Sequence, residues 1–416
     1  MGRTFSAGAL IRQGLTGRRW PRAWHRHELK PTYDVVIVGG GIHGLATAYY
    51  LASNHGIDRV AVIEKGYIGG GGSGRNTAII RANYLTPEGS RFYGRSVELY
   101  ERLSEDLNFN IMFEQRGHMT LAHSDASLRT MRWRAEVNKL QGIDSEVISP
   151  EEVAALAPRI DISDRVPHPI AGALWHPPGG IARHDAVVWA YARAADHQGA
   201  HIHQQTEVTG IDVDGGRVSG VQTSRGPVSA PVVVNCTAGW SSIVSDMAGV
   251  RLPITTTPLQ AAVTEPVKSF LHPVVVSGTL HVYVSQTARG ELVFGASVDP
   301  FTSYKTTGSL EFIEGLATHI LQLMPSLSEM RVLRQWAGLC DMTPDFAPII
   351  SDTPIAGFYV DVGWGTWGFK AGPVAGEATA ELVATGRPPE IISAFGLQRF
   401  AEGRLTAEKG AASVGH

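Results

Sequence analysis

Residues 33–52 run Tyr33-Asp-Val-Val-Ile-Val-Gly-Gly-Gly-Ile-His-Gly-Leu-Ala-Thr-Ala-Tyr-Tyr-Leu-Ala52. The apolar run Val35 to Val38 has strand length and no polar alternation, as expected of a strand buried on both faces. Glycines follow, then small residues that read as a helix, and Val60-Ala-Val-Ile-Glu-Lys65 supplies a second buried strand. Together they make one β-α-β unit, whose parallel pairing implies an α/β layer with helices on its faces. The turn carries Gly39-x-Gly41-x-x-Gly44, and Glu64 lies 20 residues beyond Gly44. The first glycine allows the tight turn, the second lets the backbone approach a pyrophosphate, and the third permits close helix–strand contact. The helix N-terminus then offers unpaired N–H groups to the phosphates. Glu64 would accept hydrogen bonds from ribose hydroxyls and repel a 2′-phosphate, which selects FAD or NAD over NADP.

Further along, 87–107 reads as a helix, 113–122 as a strand, 124–158 as mostly helical and the proline-rich 167–180 as a connector. A helix over 184–198 and a hairpin over 211–221 follow. Val232-Val-Val-Asn-Cys-Thr-Ala-Gly-Trp240 is again strand into glycine turn. Residues 252–340 change to short strands with one helix near 309–324. A last strand, Phe358-Tyr-Val-Asp-Val362, then opens into Gly363-Trp-Gly-Thr-Trp-Gly-Phe-Lys370. That late return favours FAD: a helix start there can face a flavin ring, whereas a nicotinamide enzyme needs no such element.

The 416 residues are 43% hydrophobic and 18% charged, the balance of a globular chain of two or three domains. A net charge of −3 lacks the basic excess that phosphate contacts require, so no nucleic-acid partner is expected. Cys236 and Cys340 are the only cysteines, which fits a reducing, cytoplasmic setting and excludes a zinc cage. No apolar run approaches the roughly 20 residues of a membrane helix. The first 30 residues set Arg3, Arg12, Arg18, Arg19, Arg22, Arg26 and Lys30 against the single acid Glu28. This arm lacks the apolar core of a secretion signal. It is compatible with a mitochondrial presequence, but Trp20, Pro21, Trp24 and Pro31 read better as an extended arm that docks on a partner. The tail beyond Glu402 reads as frayed.

From Tyr33 to Phe400 the chain resembles the beta subunits of heterotetrameric sarcosine oxidases, within the glycine/D-amino acid oxidase flavoprotein superfamily. The stretches that carry the resemblance are Val35 to Leu51, Arg75-Asn-Thr-Ala-Ile-Ile-Arg-Ala-Asn-Tyr84, Gly180-Ile-Ala-Arg-His-Asp185, His281-Val-Tyr-Val-Ser-Gln286 and Gly363 to Lys370. It implies an α/β fold: a Rossmann-like FAD domain of the glutathione reductase type, with an inserted mixed-sheet α+β substrate domain. The expected division is an arm over 1–32, a discontinuous FAD-binding domain over 33–112, 168–251 and 346–400, a substrate domain over 113–167 and 252–345, and a tail over 401–416. Residues expected at the non-covalent FAD are Gly39, Gly41, Ile42, His43, Gly44, Glu64, Asn76, Thr77, Ile79, Val208, Gly239, Gly363, Gly365, Gly368 and Lys370.

The resemblance also implies a second flavin, FMN, tethered to His184; read from its residues alone, His184 is a helix cap or an exposed histidine. Monomeric relatives tether flavin through a cysteine ahead of a Thr-x-Asp motif. Thr343-Pro-Asp345 matches that motif, but the cysteine position falls on Gly338, so Cys340 is expected to be a small buried hydrophobe. Arg81 and Lys370 match the residues that bind the substrate carboxylate in those relatives, and an arginine can clamp a carboxylate with two parallel hydrogen bonds. Val293, in Leu292-Val-Phe-Gly295, aligns with an oxygen-activating lysine over the flavin; an apolar residue there would direct electrons to FMN instead of oxygen. The implied activity is oxidation of sarcosine to glycine and a one-carbon unit, formaldehyde or methylene-folate, with O2 finally reduced to hydrogen peroxide. Alpha, gamma and delta subunits are the implied partners. Competing readings are a dehydrogenase of another secondary amino acid such as N-methylglutamate, and a non-catalytic flavin-binding subunit. The tRNA-modifying members of the superfamily are disfavoured by the net charge.

Overall fold

The computed structural model describes residues 6–17 and 22–408. One sheet has six strands in the order Ile349–Asp352, Phe358–Val362, Val233–Asn235, Val35–Val38, Val60–Ile63 and His201–His203. Its first pair is antiparallel and all others are parallel. Val35–Val38 and Val60–Ile63 are buried throughout, as continuous apolar runs require when both faces are covered. Val38 lies opposite Ile63 and Asn235, so these strands end level and their carboxyl ends open on one edge. The helix Ile42–His55 buries Leu45, Ala46, Ala48 and Leu51 and packs on the helix Gly368–Thr385. A Cβ added at Gly376 would lie 2.4 Å from Ala46 Cβ, so small residues on both helices set their close approach.

A second sheet has eight strands: Val332–Met342, Thr255–Pro266, Glu291–Val298, Val282–Gln286, Val274–Ser277, His118–Ala122, Gly172–His176 and Glu146–Ile148. Val274–Ser277 and His118–Ala122 are its one parallel pair. One face buries Met119, Leu121, Val275, Val282 and Phe294 under Phe312, Leu316 and Ile320 of the helix Leu310–Leu323. The opposite face turns Val276 and Tyr283 to a cavity at the carboxyl ends of the first sheet. The molecule thus combines an α/β layer with an inserted mixed sheet and helices, the expected fold class.

Some sequence expectations change. The presumed connector 167–180 contains the strand Gly172–His176, hydrogen-bonded to strands on both sides. Its prolines, Pro167, Pro169, Pro177 and Pro178, all lie outside the strand and leave its ladder intact. Within its described residues the arm contains a helix, Ala7–Thr16, started by Ser6, whose side chain accepts from the Ala9 N–H, and ended by Gly17 at φ 59°. From Trp24 onward the arm lies on this chain: Trp24 packs on the main core, and His25 Nδ1 and His27 Nε2 meet the Asp196 carboxylate at 2.7 and 2.8 Å. The tail is docked as far as Glu408, which accepts from the Leu85 and Thr86 N–H groups at 3.3 and 3.0 Å. Asp345 of the Thr-x-Asp motif is a structural anchor. It accepts two bonds from Arg399, at 2.8 and 3.0 Å, and one from the Thr406 N–H at 3.1 Å. Arg3, Arg18, Arg19, Trp20, Pro21 and residues 409–416 lie outside the described residues. Among the described residues no helix is long and apolar enough to cross a membrane.

Candidate active site

A cavity of about 710 Å³ opens where the strands of the six-stranded sheet end, the position at which α/β sheets hold ligands. Gly39, Gly41, Ile42, His43, Glu64, Asn76, Thr77, Ile79, Val208, Gly239, Gly365, Gly368, Arg81 and Lys370 all line it. Gly44, Gly363 and His184 lie outside its lining. Gly44 sits beneath, where an added Cβ would fall 2.1 Å from the Gly39 carbonyl oxygen. The Gly363 N–H donates to Asp341 at 2.6 Å, so this glycine shapes the turn. His184 begins the helix His184–His197 and is half-buried.

Gly39 holds φ at 113°, a conformation open to glycine but strained for other residues. Glu64 accepts from the Gly40 N–H through one carboxylate oxygen, at 2.8 Å, and from the Gly66 N–H through the other, at 2.7 Å. Each oxygen keeps acceptor capacity for a hydroxyl group. His43 Nδ1 lies 3.1 Å from both Asp361 oxygens and Nε2 lies 2.9 Å from the Gly368 carbonyl oxygen. Both partners are acceptors, an arrangement that favours protons on both ring nitrogens, the imidazolium form. Burial opposes that charge, but Asp361 outweighs it and raises the pKa. The pair joins the start of the fingerprint helix to the last strand. Asp361 also accepts from Trp364 Nε1 at 2.7 Å.

Arg81 follows the short strand Ile79–Ile80, which pairs with Gly180–Ile181. Its guanidinium donates to the backbone and side-chain oxygens of Asn83 at 3.1 and 3.0 Å and lies over the Tyr84 ring. Lys370, in the first turn of Gly368–Thr385, is buried. Burial first, and then the Arg81 charge, push its pKa well below the usual lysine range. A bound carboxylate would reverse that shift by restoring a counter-charge.

Pro373, four residues after Phe369, has no N–H for the Phe369 carbonyl. Tyr100 replaces that bond, its hydroxyl donating to the Phe369 oxygen at 2.8 Å, and Ser96 donates to the Lys370 carbonyl. Tyr100→Phe should therefore destabilise the protein by about 1–3 kcal/mol, the cost of stranding a buried carbonyl; thermal unfolding of both forms checks this.

Buried histidines flank the cationic wall. His176 Nε2 accepts from the Ala82 N–H at 3.1 Å and Nδ1 lies 2.6 Å from the Asp144 carbonyl oxygen. Burial pushes its pKa down to about 4, whereas an unfolded histidine titrates near 6.5. Between these values the unfolded chain binds more protons, so the contribution is fully present above about pH 6.5 and lost as pH falls toward 4, about 3 kcal/mol in all. His203, lowered chiefly by burial to about 4, acts in the same sense. The urea midpoint should fall steeply across this window; a flat profile would contradict the buried neutral state.

The sequence profile described as FAD dependent oxidoreductase matches residues 34–382. The chain is 46% identical over 415 residues to the sarcosine oxidase subunit beta of Rhodobacter capsulatus, covering the whole of both chains. It is 48% identical over 407 residues to that of Rhizobium meliloti, covering 98% of each. The chain belongs to the FAD-dependent oxidoreductase family, among its sarcosine oxidase beta subunits. The solved structure of an L-proline dehydrogenase from P. horikoshii matches with a TM-score of 0.85 at 31% identity, over 91% of this chain and all of that one.

For an FAD-dependent oxidoreductase the cavity residues fit the cofactor. The fingerprint glycines clear one wall, Glu64 retains acceptor capacity for ribose, and His43 is held at the helix start by Asp361. Asp341, Asp361, His118 and Trp364 join the site from distant segments. Cys340 lines the cavity with Gly338 and is buried, its thiol pushed up by burial. Val293 lies opposite Val263 and Ser285 in the eight-stranded sheet but outside the cavity lining, so it does not supply the expected apolar contact with flavin.

Proposed function

We propose that the chain oxidises sarcosine, N-methylglycine, to glycine and a one-carbon unit, released as formaldehyde or captured as methylene-folate. Two buried basic side chains, Arg81 and Lys370, in the wall of the cavity that also bears the dinucleotide fingerprint carry this reading. Arg81, steadied by Asn83 and Tyr84, orients a carboxylate through parallel donors. Lys370 adds a point charge that becomes fully protonated as the anion arrives. Together they fix the α-carbon and the amine relative to the cavity wall, and burial excludes water from the pair. FAD, when bound, supplies the two-electron acceptor that converts the amine to an imine, which water hydrolyses to glycine and formaldehyde. A non-catalytic subunit would have no use for such a carboxylate clamp.

A second secondary amino acid, such as N-methylglutamate, is the alternative substrate. The L-proline dehydrogenase likeness favours that class, because proline also joins a secondary amine to an α-carboxylate.

His184 is assigned as the tether of FMN, which when attached supplies the outlet to O2 with formation of hydrogen peroxide. Its ring makes no hydrogen bond with the described residues, and burial lowers its pKa against the pull of Asp185, so the nucleophilic neutral imidazole is available. Acid precipitation of the assembled enzyme tests this: a tryptic peptide containing His184 should carry the mass of FMN, and release of all flavin as FAD would remove the second flavin. The beta-subunit names of the relatives support a multi-subunit enzyme, for which alpha, gamma and delta subunits are the partners proposed from the resemblance. The discontinuous FAD-binding division is supported by the first sheet, whose strands all fall within 33–112, 168–251 and 346–400. In the second sheet Gly172–His176 is the strand that falls outside 113–167 and 252–345.

A further inference from the structure

We propose that His118 is a third ligand of the substrate carboxylate, its Nε2–H donating beside Arg81 and Lys370. This rests on the carboxylate-site reading above.

His118 opens the strand His118–Ala122, where Met119 and Leu121 enter the core on one face. On the other face His118 shares the cavity wall with Val276 and Tyr283. It is 1% exposed, locked between His176 and Val274 on the neighbouring strands. Nδ1 is sealed off without a hydrogen-bond partner, and Nε2 bonds to none of the described residues. A buried polar ring with neither nitrogen satisfied calls for an explanation. Orphaned N–H groups are rarer than orphaned acceptors, so the proton belongs on Nε2, the nitrogen left to face the cavity.

The ring is neutral: burial first, then Arg81, His176, Arg134 and Lys370, hold its pKa well below the ordinary value. A neutral donor suits this place. A carboxylate offers about four lone-pair sites, more than one guanidinium edge and one ammonium fill. An imidazole N–H fills another without adding a further cation.

The test uses FAD-loaded protein and methoxyacetate, which has the shape of sarcosine with an ether oxygen in place of the amine. Its affinity is read from the perturbation of flavin absorbance. His118→Leu should weaken binding by roughly 10- to 100-fold, the range for a hydrogen bond to a charged group. His118→Gln, whose amide nitrogen reaches the Nε2 position, should restore most of it, and methoxyacetamide, lacking the anion, should not distinguish the variants. His118→Leu protein that retains FAD and binds methoxyacetate within twofold of the parent overturns the proposal. So does a glutamine variant as weak as the leucine one. Failure of the underlying carboxylate site shows itself separately, because Arg81→Met would then also leave methoxyacetate affinity unchanged.

Discussion

Replacing Arg81 with methionine lowers kcat/KM for sarcosine by roughly 10²- to 10³-fold, the range for removing one partner of a desolvated, charge-assisted pair. The substitution keeps most of the volume and the contact with Tyr84, but it removes the planar fork that fixes the carboxylate. Arg81 donates to the neutral backbone and side-chain oxygens of Asn83, so the substitution leaves the Asn83 oxygens uncharged. The defect should therefore appear in substrate oxidation, with FAD still bound. Steady-state kinetics checks it, and because the clamp orients as well as binds, kcat should fall along with the rise in KM. Near-normal kcat/KM would move the substrate site away from Arg81. Lys370→Met should act in the same direction, with a smaller loss, since Lys370 contributes a point charge without the bidentate geometry.

Gly44→Val should yield no FAD-loaded protein. The new Cβ would lie 2.1 Å from the Gly39 carbonyl oxygen and 3.0 Å from Ile37 Cγ2, so the fingerprint helix must leave the strand. Neither contact ends in a flexible side chain able to swing aside, and overpacking of a rigid core costs several kcal/mol when backbone must move. Gly315→Ala, where an added Cβ meets nothing within 4 Å, is the control and should retain FAD and full stability. Flavin content after purification separates the two; a yellow, stable Gly44→Val protein would contradict the assigned helix–strand contact.

The fingerprint was legible because its parts are local: strand, turn, helix and Glu64 lie within one β-α-β unit, and Gly44 answers to the backbone of Gly39. Arg81 and Lys370, singled out by short motifs and the resemblance, do line the cavity. The His43–Asp361 pair was not legible, because its partners stand 318 residues apart and either alone reads as an ordinary polar residue. Gly363 illustrates the limit of motif reading: it belongs to the right turn, but its N–H faces Asp341 and its surface misses the cavity. Gly172–His176 was hidden by prolines that flank the strand without entering it. His118 left a signal in the alternation of His118 and Thr120 with Met119 and Leu121, a polar face on a strand buried from end to end. Only the neighbouring strands show that this face meets the cavity.

The most direct measurement is anaerobic mixing of the FAD-loaded enzyme with sarcosine while following the yellow flavin absorbance. Sarcosine should bleach the flavin and yield glycine, both to a large extent lost in Arg81→Met. Flavin that stays oxidised with sarcosine, yet bleaches with a chemical reductant, would contradict sarcosine as the substrate; bleaching by proline or N-methylglutamate instead would reassign the cavity to another secondary amino acid.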